Sequence, residues 1–156
     1  MSDRLPVFTA VMGLAVLLTC LQASDSPLYH LAPLPVIDQD IRQTTARRLT
    51  NAEKMVYYSG RFMGAPYLLV CEGEGENGRY ETQPLLNLQK INCMTYCEIV
   101  MALTLSRNYE EMFNVLQHIR YRDGYISMAT RNHYTMVDWL PANSWCLRST
   151  STWSTP

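Results

Sequence analysis

The stretch NLQKINCMTYCEIVMALTLS, residues 87–106, decides the fold of this chain. Apolar residues around Ile99 and Leu103 recur at spacings of three and four, which is the pattern of a helix with one buried stripe. Asn92 stands immediately before this pattern, and asparagine is among the best residues for capping the first amides of a helix. The sequence therefore predicts a helix that begins at Cys93.

Cys93 falls on the first turn of this helix, where unpaired N–H groups and the helix dipole stabilise negative charge. A thiol in that position favours the thiolate, which is the nucleophilic form. The alternative is a small buried hydrophobic residue, as free cysteines often are. A base downstream, His133 in the segment RNHYTMVDW (residues 131–139), favours the chemical interpretation.

A cysteine hydrolase also needs a polar group that orients the imidazole. Asn143 follows a turn at Pro141. Asp138 is nearer, but alternation along a strand would put it on the opposite face from His133. We therefore predict Cys93, His133 and Asn143 as the catalytic residues. Spacing alone leaves open whether they are catalytic or ordinary core residues.

Composition limits the classes of function. The chain has 156 residues, enough for one domain, and its hydrophobic fraction of 47% allows a packed core. A net charge of -1 argues against nucleic acid as a partner, because phosphate binding needs concentrated Lys and Arg. The basic pairs Arg47–Arg48 and Arg120/Arg122 are isolated, so we expect them on the solvated surface.

The five cysteines are an odd number with irregular spacing, which does not indicate a disulfide framework. Cys93 and Cys97 lie four residues apart, but a zinc site would need two further ligands, for which His118 and His133 are candidates. The sequence holds no second paired-ligand motif. We therefore expect neither a metal nor a cofactor.

Residues 1–23 are predicted to be a signal peptide. Arg4 supplies a positive charge, the run from Val7 to Leu21 is apolar and uncharged, and a cleavage site precedes Ser24. Lipidation at Cys20 and a retained anchor are the alternatives. The expected location is the periplasm or cell envelope.

The rest of the chain divides into three parts. Residues 24–50 are an N-terminal lead-in, with a proline-rich extended stretch at 30–35 and the start of a helix predicted over 41–60. Residues 51–147 form the predicted catalytic domain. Residues 148–156 are rich in Ser and Thr, and we expect a disordered tail there.

The predicted catalytic domain mixes helices with strands. A helix is expected at Tyr109–Arg120, after the helix that begins at Cys93. Strands are expected at 67–71, 125–128 and 133–139, and a short segment at 144–147 could pair with them. This pattern indicates an α+β domain.

Four ordered motifs also carry a resemblance to a known family. They are FMGAPYLL (62–69), NLQKINCMTYCEIVMALTLS (87–106), LQHIRYRDGYIS (116–127) and RNHYTMVDW (131–139). Together they resemble the N-acetylmuramoyl-L-alanine amidase-like family (DUF1460) of the NlpC/P60 papain-like superfamily, over about residues 52–147. That family usually has an aspartate before the cysteine, where this chain has Asn92.

The resemblance implies a papain-like, NlpC-type fold with helices packed on an antiparallel sheet. It implies Cys93 as nucleophile, His133 as base and, less directly, Asn143 as orienter, with backbone N–H groups at the helix start holding the oxyanion. The implied reaction hydrolyses the amide between N-acetylmuramic acid and the first alanine in peptidoglycan fragments (muropeptides). It requires no metal.

Thirteen residues follow Asn143. We therefore expect a C-terminally truncated sheet with an open edge. This expectation keeps two alternatives open: an inactive relative that binds envelope glycan or a partner, and a stem-peptide endopeptidase with the same Cys–His machinery. Contact with a membrane is expected only through the signal peptide or a lipid anchor.

Overall fold

In the computed structural model of this protein, residues 26–150 are described, with side chains up to residue 147. The predicted signal peptide and residues 151–156 of the predicted tail lie outside the described residues. Within 26–150, no helix combines the length and the apolar character needed to cross a bilayer.

Four helices form the body of the fold, and shorter helical segments follow them. The four are α1 (Leu34–Ala46), α2 (Asn51–Gly60), α3 (Cys93–Leu105) and α4 (Tyr109–Arg120). After α4 come a 3₁₀ turn (Arg122–Gly124), a π-helix (Thr135–Trp139), α5 (Leu140–Ala142) and α6 (Ser144–Thr150). Helix α6 extends into residues 148–150, where the tail was predicted to begin.

The single helix predicted over 41–60 is two helices. Pro35 lies in the first turn of α1, where a proline fits because its nitrogen needs no partner, so the proline-rich stretch opens a helix. Arg48 adopts a left-handed backbone (φ 53°) after α1 has ended. Thr50 then starts α2 with a capping box: its hydroxyl accepts from Glu53 N at 3.3 Å, and the Glu53 carboxylate accepts from Thr50 N at 2.8 Å.

Helices α3 and α4 confirm the predictions at Cys93 and at Tyr109–Arg120. Helix α3 packs against both α2 and α4, which explains why most of its later turns are buried. The core between them contains Ile99, Leu103, Met112, Leu116 and Ile119, all fully buried. Three aromatic residues, Tyr29, Tyr58 and Phe62, extend this core beneath α1 and α2.

The predicted α+β, papain-like fold with helices on an antiparallel sheet is wrong for the described residues. Residues 26–150 contain no strand. They contain two isolated bridges, one parallel between Tyr67 and Ile91 and one antiparallel between Tyr121 and Arg131. A lone bridge or ribbon is marginal without further strands, so the β-prone segments adopt other structures.

The segment 133–139, which was predicted to be a strand, shows how a β-prone sequence adopts another structure. Tyr134 O accepts from both Asp138 N (3.1 Å) and Trp139 N (3.0 Å), and the Asp138 carboxylate accepts from Tyr134 N at 2.7 Å. These local bonds close a helical turn. The segment predicted at 144–147 lies in α6, and residues 125–128 form a loop. A β-prone segment forms a strand only when a neighbouring strand pairs with it, and in the described structure these segments have no such partner.

A buried ionic cluster joins the later helices to the loop that precedes α3. Arg120 Nη1 lies 3.5 Å from Glu72 Oε2, and Arg120 Nε lies 3.8 Å from Glu98 Oε2, all three side chains being almost fully buried. Arg120 Nη1 also donates to Leu85 O at 2.8 Å, and Trp139 Nε1 donates to Glu98 Oε1 at 2.9 Å. The prediction that Arg120 is solvated surface was therefore wrong.

Two carboxylates share one guanidinium in this cluster. Burial raises the pKa of Glu72 and raises the pKa of Glu98 to about 7, although the charge of Arg120 opposes both shifts. A buried net negative charge is costly, and one retained proton removes it. The cluster is therefore most stable when one of its carboxyl groups is protonated.

We predict that Glu98→Gln changes how stability depends on pH. Because the folded pKa of Glu98, about 7, exceeds its ordinary 4.5, the stabilisation it gives is complete below 4.5 and is lost as pH rises through about 7. Urea unfolding between about pH 5 and pH 8 should show the wild type losing on the order of 3 kcal/mol relative to the variant.

Glu111→Gln is the matched control for this measurement. Hydrogen bonds from Arg107 lower the pKa of Glu111, so its contribution to stability is lost as pH falls, the opposite direction. A stability difference between wild type and Glu98→Gln that stays constant across the pH range would contradict the prediction.

Candidate active site

The candidate nucleophile, Cys93, is the first residue of α3 and its side chain is exposed. Asn92 fixes the start of the helix, because its Oδ1 accepts from Met94 N and from Thr95 N at 2.9 Å each. In return, Thr95 Oγ1 accepts from Asn92 N at 3.0 Å. This reciprocal cap holds the backbone around Cys93 in one conformation.

The segment 67–71 braces the cap from the other side. Asn92 Nδ2 donates to Leu69 O at 2.9 Å and contacts Cys71 Sγ at 3.7 Å. Cys71 is buried, and its sulfur lies 3.4 Å from Thr95 Oγ1. The stretch predicted as a strand therefore serves as an extended support for the N-terminus of α3.

The cap also decides which amides remain for a substrate. The N–H groups of Met94 and Thr95 bind Asn92 Oδ1, and that of Tyr96 binds Asn92 O at 3.0 Å. Among residues 26–150, no group accepts a hydrogen bond from the N–H of Cys93. That single amide is the donor at the helix start that could face a developing oxyanion.

An open, mainly apolar cavity of about 400 Å³ lies beside Cys93. Its walls come from the end of α2, the turn that follows it and the start of α3. The lining side chains include Phe62, Met63, Tyr67, Ile91 and Tyr96. A substrate in this cavity would reach the thiol from the side of the exposed helix terminus.

His133 lies on the exposed loop before the π-helix and is not among the residues that line this cavity. Its Nε2 is 3.1 Å from Met128 O. Because a carbonyl can only accept, Nε2 carries the proton in the neutral ring and Nδ1 is the basic nitrogen. Met128 is held in turn, since its N–H donates to Glu74 Oε1 at 2.7 Å.

Asn143 does not orient His133 in this structure. Its side chain is fully buried, and Nδ2 donates to Ile119 O and Trp139 O at 2.9 Å each. Among the described residues, no hydrogen bond joins Cys93, His133 and Asn143. The group that contacts the His133 ring nitrogen is the Met128 carbonyl, and a backbone carbonyl has no signature in a sequence.

Cys97 lies one turn after Cys93 and is also exposed. Burial of part of its side chain raises the pKa of the Cys97 thiol, and the neighbouring Cys93 and Glu98 add to the rise. Nowhere in the described part of the chain do three His, Cys, Asp or Glu side chains converge to hold a metal ion. The zinc ligands considered from the sequence are thus not assembled.

Comparison with known proteins shows the family of this chain. Residues 57–151, which include α3, α4 and the His133 segment, match the sequence profile described as N-acetylmuramoyl-L-alanine amidase-like. The chain belongs to the N-acetylmuramoyl-L-alanine amidase-like family. The resemblance seen in the four sequence motifs is thereby confirmed at the level of this family.

Solved structures agree with this membership. A Legionella pneumophila protein of the DUF1460 family is 32% identical, with a TM-score of 0.63 over 70% of this chain. Two structures of an N-acetylmuramoyl-L-alanine amidase from Bacteroides uniformis are 25% and 28% identical, with TM-scores of 0.50 and 0.51 over 61% of this chain. A search of curated proteins found no match.

The amidase-like chain covers only part of these relatives. Its alignment spans 37% of the Legionella chain and 40% of each Bacteroides chain. The chain therefore spans less than half the length of each of these relatives.

We predict a clear order of thiol reactivity in this amidase-like protein. Iodoacetamide at neutral pH should modify Cys93 fastest and Cys97 more slowly, because the raised pKa of Cys97 reduces its thiolate fraction. Cys71 and Cys146 are buried and should react only after unfolding in urea. Peptide mass mapping at successive times measures each site, and equal labelling of Cys71 and Cys93 in the folded protein would contradict the structure.

Proposed function

We propose that this chain is a cysteine amidase that hydrolyses the amide between N-acetylmuramic acid and the first alanine in peptidoglycan fragments. The observation that carries the proposal is the exposed Cys93 thiol on the first turn of a firmly capped helix, beside an open cavity. The family description and the Bacteroides uniformis amidase supply the class of bond.

The proposed reaction uses few groups of this chain. His133 Nδ1 takes the proton of Cys93 Sγ, and the sulfur attacks the amide carbonyl carbon. The N–H of Cys93 stabilises the oxyanion of the tetrahedral intermediate. The C–N bond then breaks, the alanine nitrogen takes the proton from His133 and leaves as an amine, and a thioester remains on Cys93.

Water completes the cycle. His133 Nδ1 accepts a proton from water as the hydroxide attacks the thioester, and the proton returns to the sulfur as the C–S bond breaks. The products are a free lactyl carboxylate on the sugar and a peptide with a free alanine amine. We assign the orienting role predicted for Asn143 to Met128 O, which already holds His133 Nε2 at 3.1 Å.

We also propose that the protein is exported to the periplasm or cell envelope, where muropeptides occur. The sequence pattern of residues 1–23 supports this proposal, with lipidation at Cys20 as its alternative. Contact with a membrane would come only through that segment. Membership of the wider NlpC/P60 superfamily stays a prediction.

Two observations favour a second candidate function, the binding of envelope glycan or a partner without turnover. His133 is not in the lining of the Cys93 cavity, and Asn143 is engaged elsewhere. Turnover needs His133 Nδ1 within hydrogen-bond reach of the Cys93 sulfur. A chain in which these two groups stay apart would bind and not hydrolyse.

We predict that Cys93→Ala abolishes release of stem peptide from a defined muropeptide, and that His133→Ala reduces it by about a thousandfold or more. Cys97→Ala is the matched control, because it removes an exposed thiol on the same helix, and it should retain turnover. Chromatography with mass spectrometry identifies the products. An unmodified sugar with a shortened peptide would instead indicate a stem-peptide endopeptidase.

The same assay separates the two candidate functions. Unchanged turnover in Cys93→Ala would eliminate the cysteine mechanism. Saturable muropeptide binding by the wild type, with no product at any pH tested, would support the non-catalytic candidate and overturn the amidase.

A further inference from the structure

We propose that the protein carries a second binding site, for an N-acetylated oligosaccharide, on the side formed by α4 and the C-terminal helices. A cavity of about 490 Å³ lies there, within the range typical of small-molecule sites. Its lining consists of Val115, His118, Arg122, Asp123, Ala142 and Trp145. The cavity shares no lining residue with the one beside Cys93.

Trp145 supplies the aromatic surface of this site. The residue is 49% exposed and lines the cavity, so part of its indole is available to a ligand. Among residues 26–150, no aromatic ring stacks on its indole and no group accepts from its Nε1. A pyranose ring presents a face of C–H groups that packs on an indole, while the indole N–H can donate to a sugar oxygen.

Three polar side chains stand around the same cavity with their hydrogen-bonding atoms unused. His118, Arg122 and Asp123 are exposed, and none of them bonds to another side chain in the described part of the protein. A guanidinium donates in a planar fork, a carboxylate accepts at two oxygens, and an imidazole can do either. Such a set matches the paired hydroxyl groups of a sugar.

The balance of charge and apolar surface further limits the class of ligand that fits this cavity. Arg122 and Asp123 offset each other, which favours a neutral ligand over a strongly charged one. Val115 and Ala142 add apolar surface to the lining, suited to a methyl group. An acetamide combines that methyl group with an N–H donor and a carbonyl acceptor, so an N-acetylated sugar fits the whole lining.

The turn that presents Arg122 and Asp123 is held in an uncommon conformation. Asp123 (φ 55°) and Gly124 (φ 73°) both adopt the left-handed region. Gly124 lies against the His118 ring, and a Cβ there would come within 3.2 Å of its Cε1, so only glycine fits without displacement. Left-handed residues other than glycine cost about 1 kcal/mol and concentrate at functional sites.

The walls of the cavity are fixed to the fold from several directions. Arg122 N donates to Thr130 O at 2.7 Å, and Tyr121 OH donates to Gly73 O at 2.9 Å, which anchors the turn. Asn143 joins the C-terminal segment to the end of α4 through Ile119 O. These hydrogen bonds hold the walls of the cavity in place without a ligand. Binding at this site does not require the chemistry proposed for Cys93.

The test is isothermal titration calorimetry of the full chain with tetra-N-acetylchitotetraose, and with cellotetraose as the ligand that lacks acetamide groups. We expect saturable binding of the acetylated sugar only. Trp145→Ala and Arg122→Ala should each weaken it by about tenfold or more. Tyr134→Ala is the matched control, because Tyr134 is an aromatic residue of 70% exposure outside the cavity lining, and it should bind like the wild type.

Thermal unfolding of each variant checks the fold, and Arg122→Ala keeps the test valid if Trp145→Ala unfolds, since Arg122 is exposed. Absence of binding, unchanged binding in Arg122→Ala, or equal binding of cellotetraose would overturn the proposal. Cys93→Ala should bind the sugar normally, so a loss of hydrolysis and a loss of sugar binding remain distinguishable.

Discussion

The buried guanidinium of Arg120 is the group on which the rest of the structure depends. It lies at the end of α4 and contacts Glu72 from the loop before α3, Glu98 on α3 and the carbonyl of Leu85. Glu98 in turn binds the indole of Trp139, which precedes the C-terminal helices. Removing the charge of Arg120 would leave two buried carboxylates without a partner, which typically destabilises a fold by about 3–5 kcal/mol.

The helix that begins at Cys93 and the helix that lines the second cavity each contribute a side chain to this cluster. Glu98 belongs to the helix whose first residue is Cys93, so the cluster holds the far side of the nucleophile's helix while Asn92 holds its start. Arg120 is also the last residue of α4, just before the turn that carries Arg122 and Asp123. The cluster therefore joins the helix that carries the thiol to the helix that lines the proposed sugar site.

The helical architecture shows that family membership did not predict the fold of the described residues. The chain has the sequence of an amidase-like protein, and it superimposes on part of larger relatives, yet residues 26–150 build helices and two isolated bridges where a sheet was expected. Sequence motifs identify the family because they depend only on which residues occur and in what order. A stable sheet forms only when several strands pair, and a short motif does not show whether the other strands are there.

The local features of the site could be predicted from the sequence. Asn92 as cap, Cys93 as first helical residue and α4 at Tyr109–Arg120 follow from short-range hydrogen bonding and helical periodicity, which act within a few residues. Tertiary structure alone decided that Arg120 is buried, that Asn143 binds backbone carbonyls and that Met128 O holds His133. Those outcomes depend on burial and on backbone groups from distant segments, and neither leaves a pattern in the neighbouring residues.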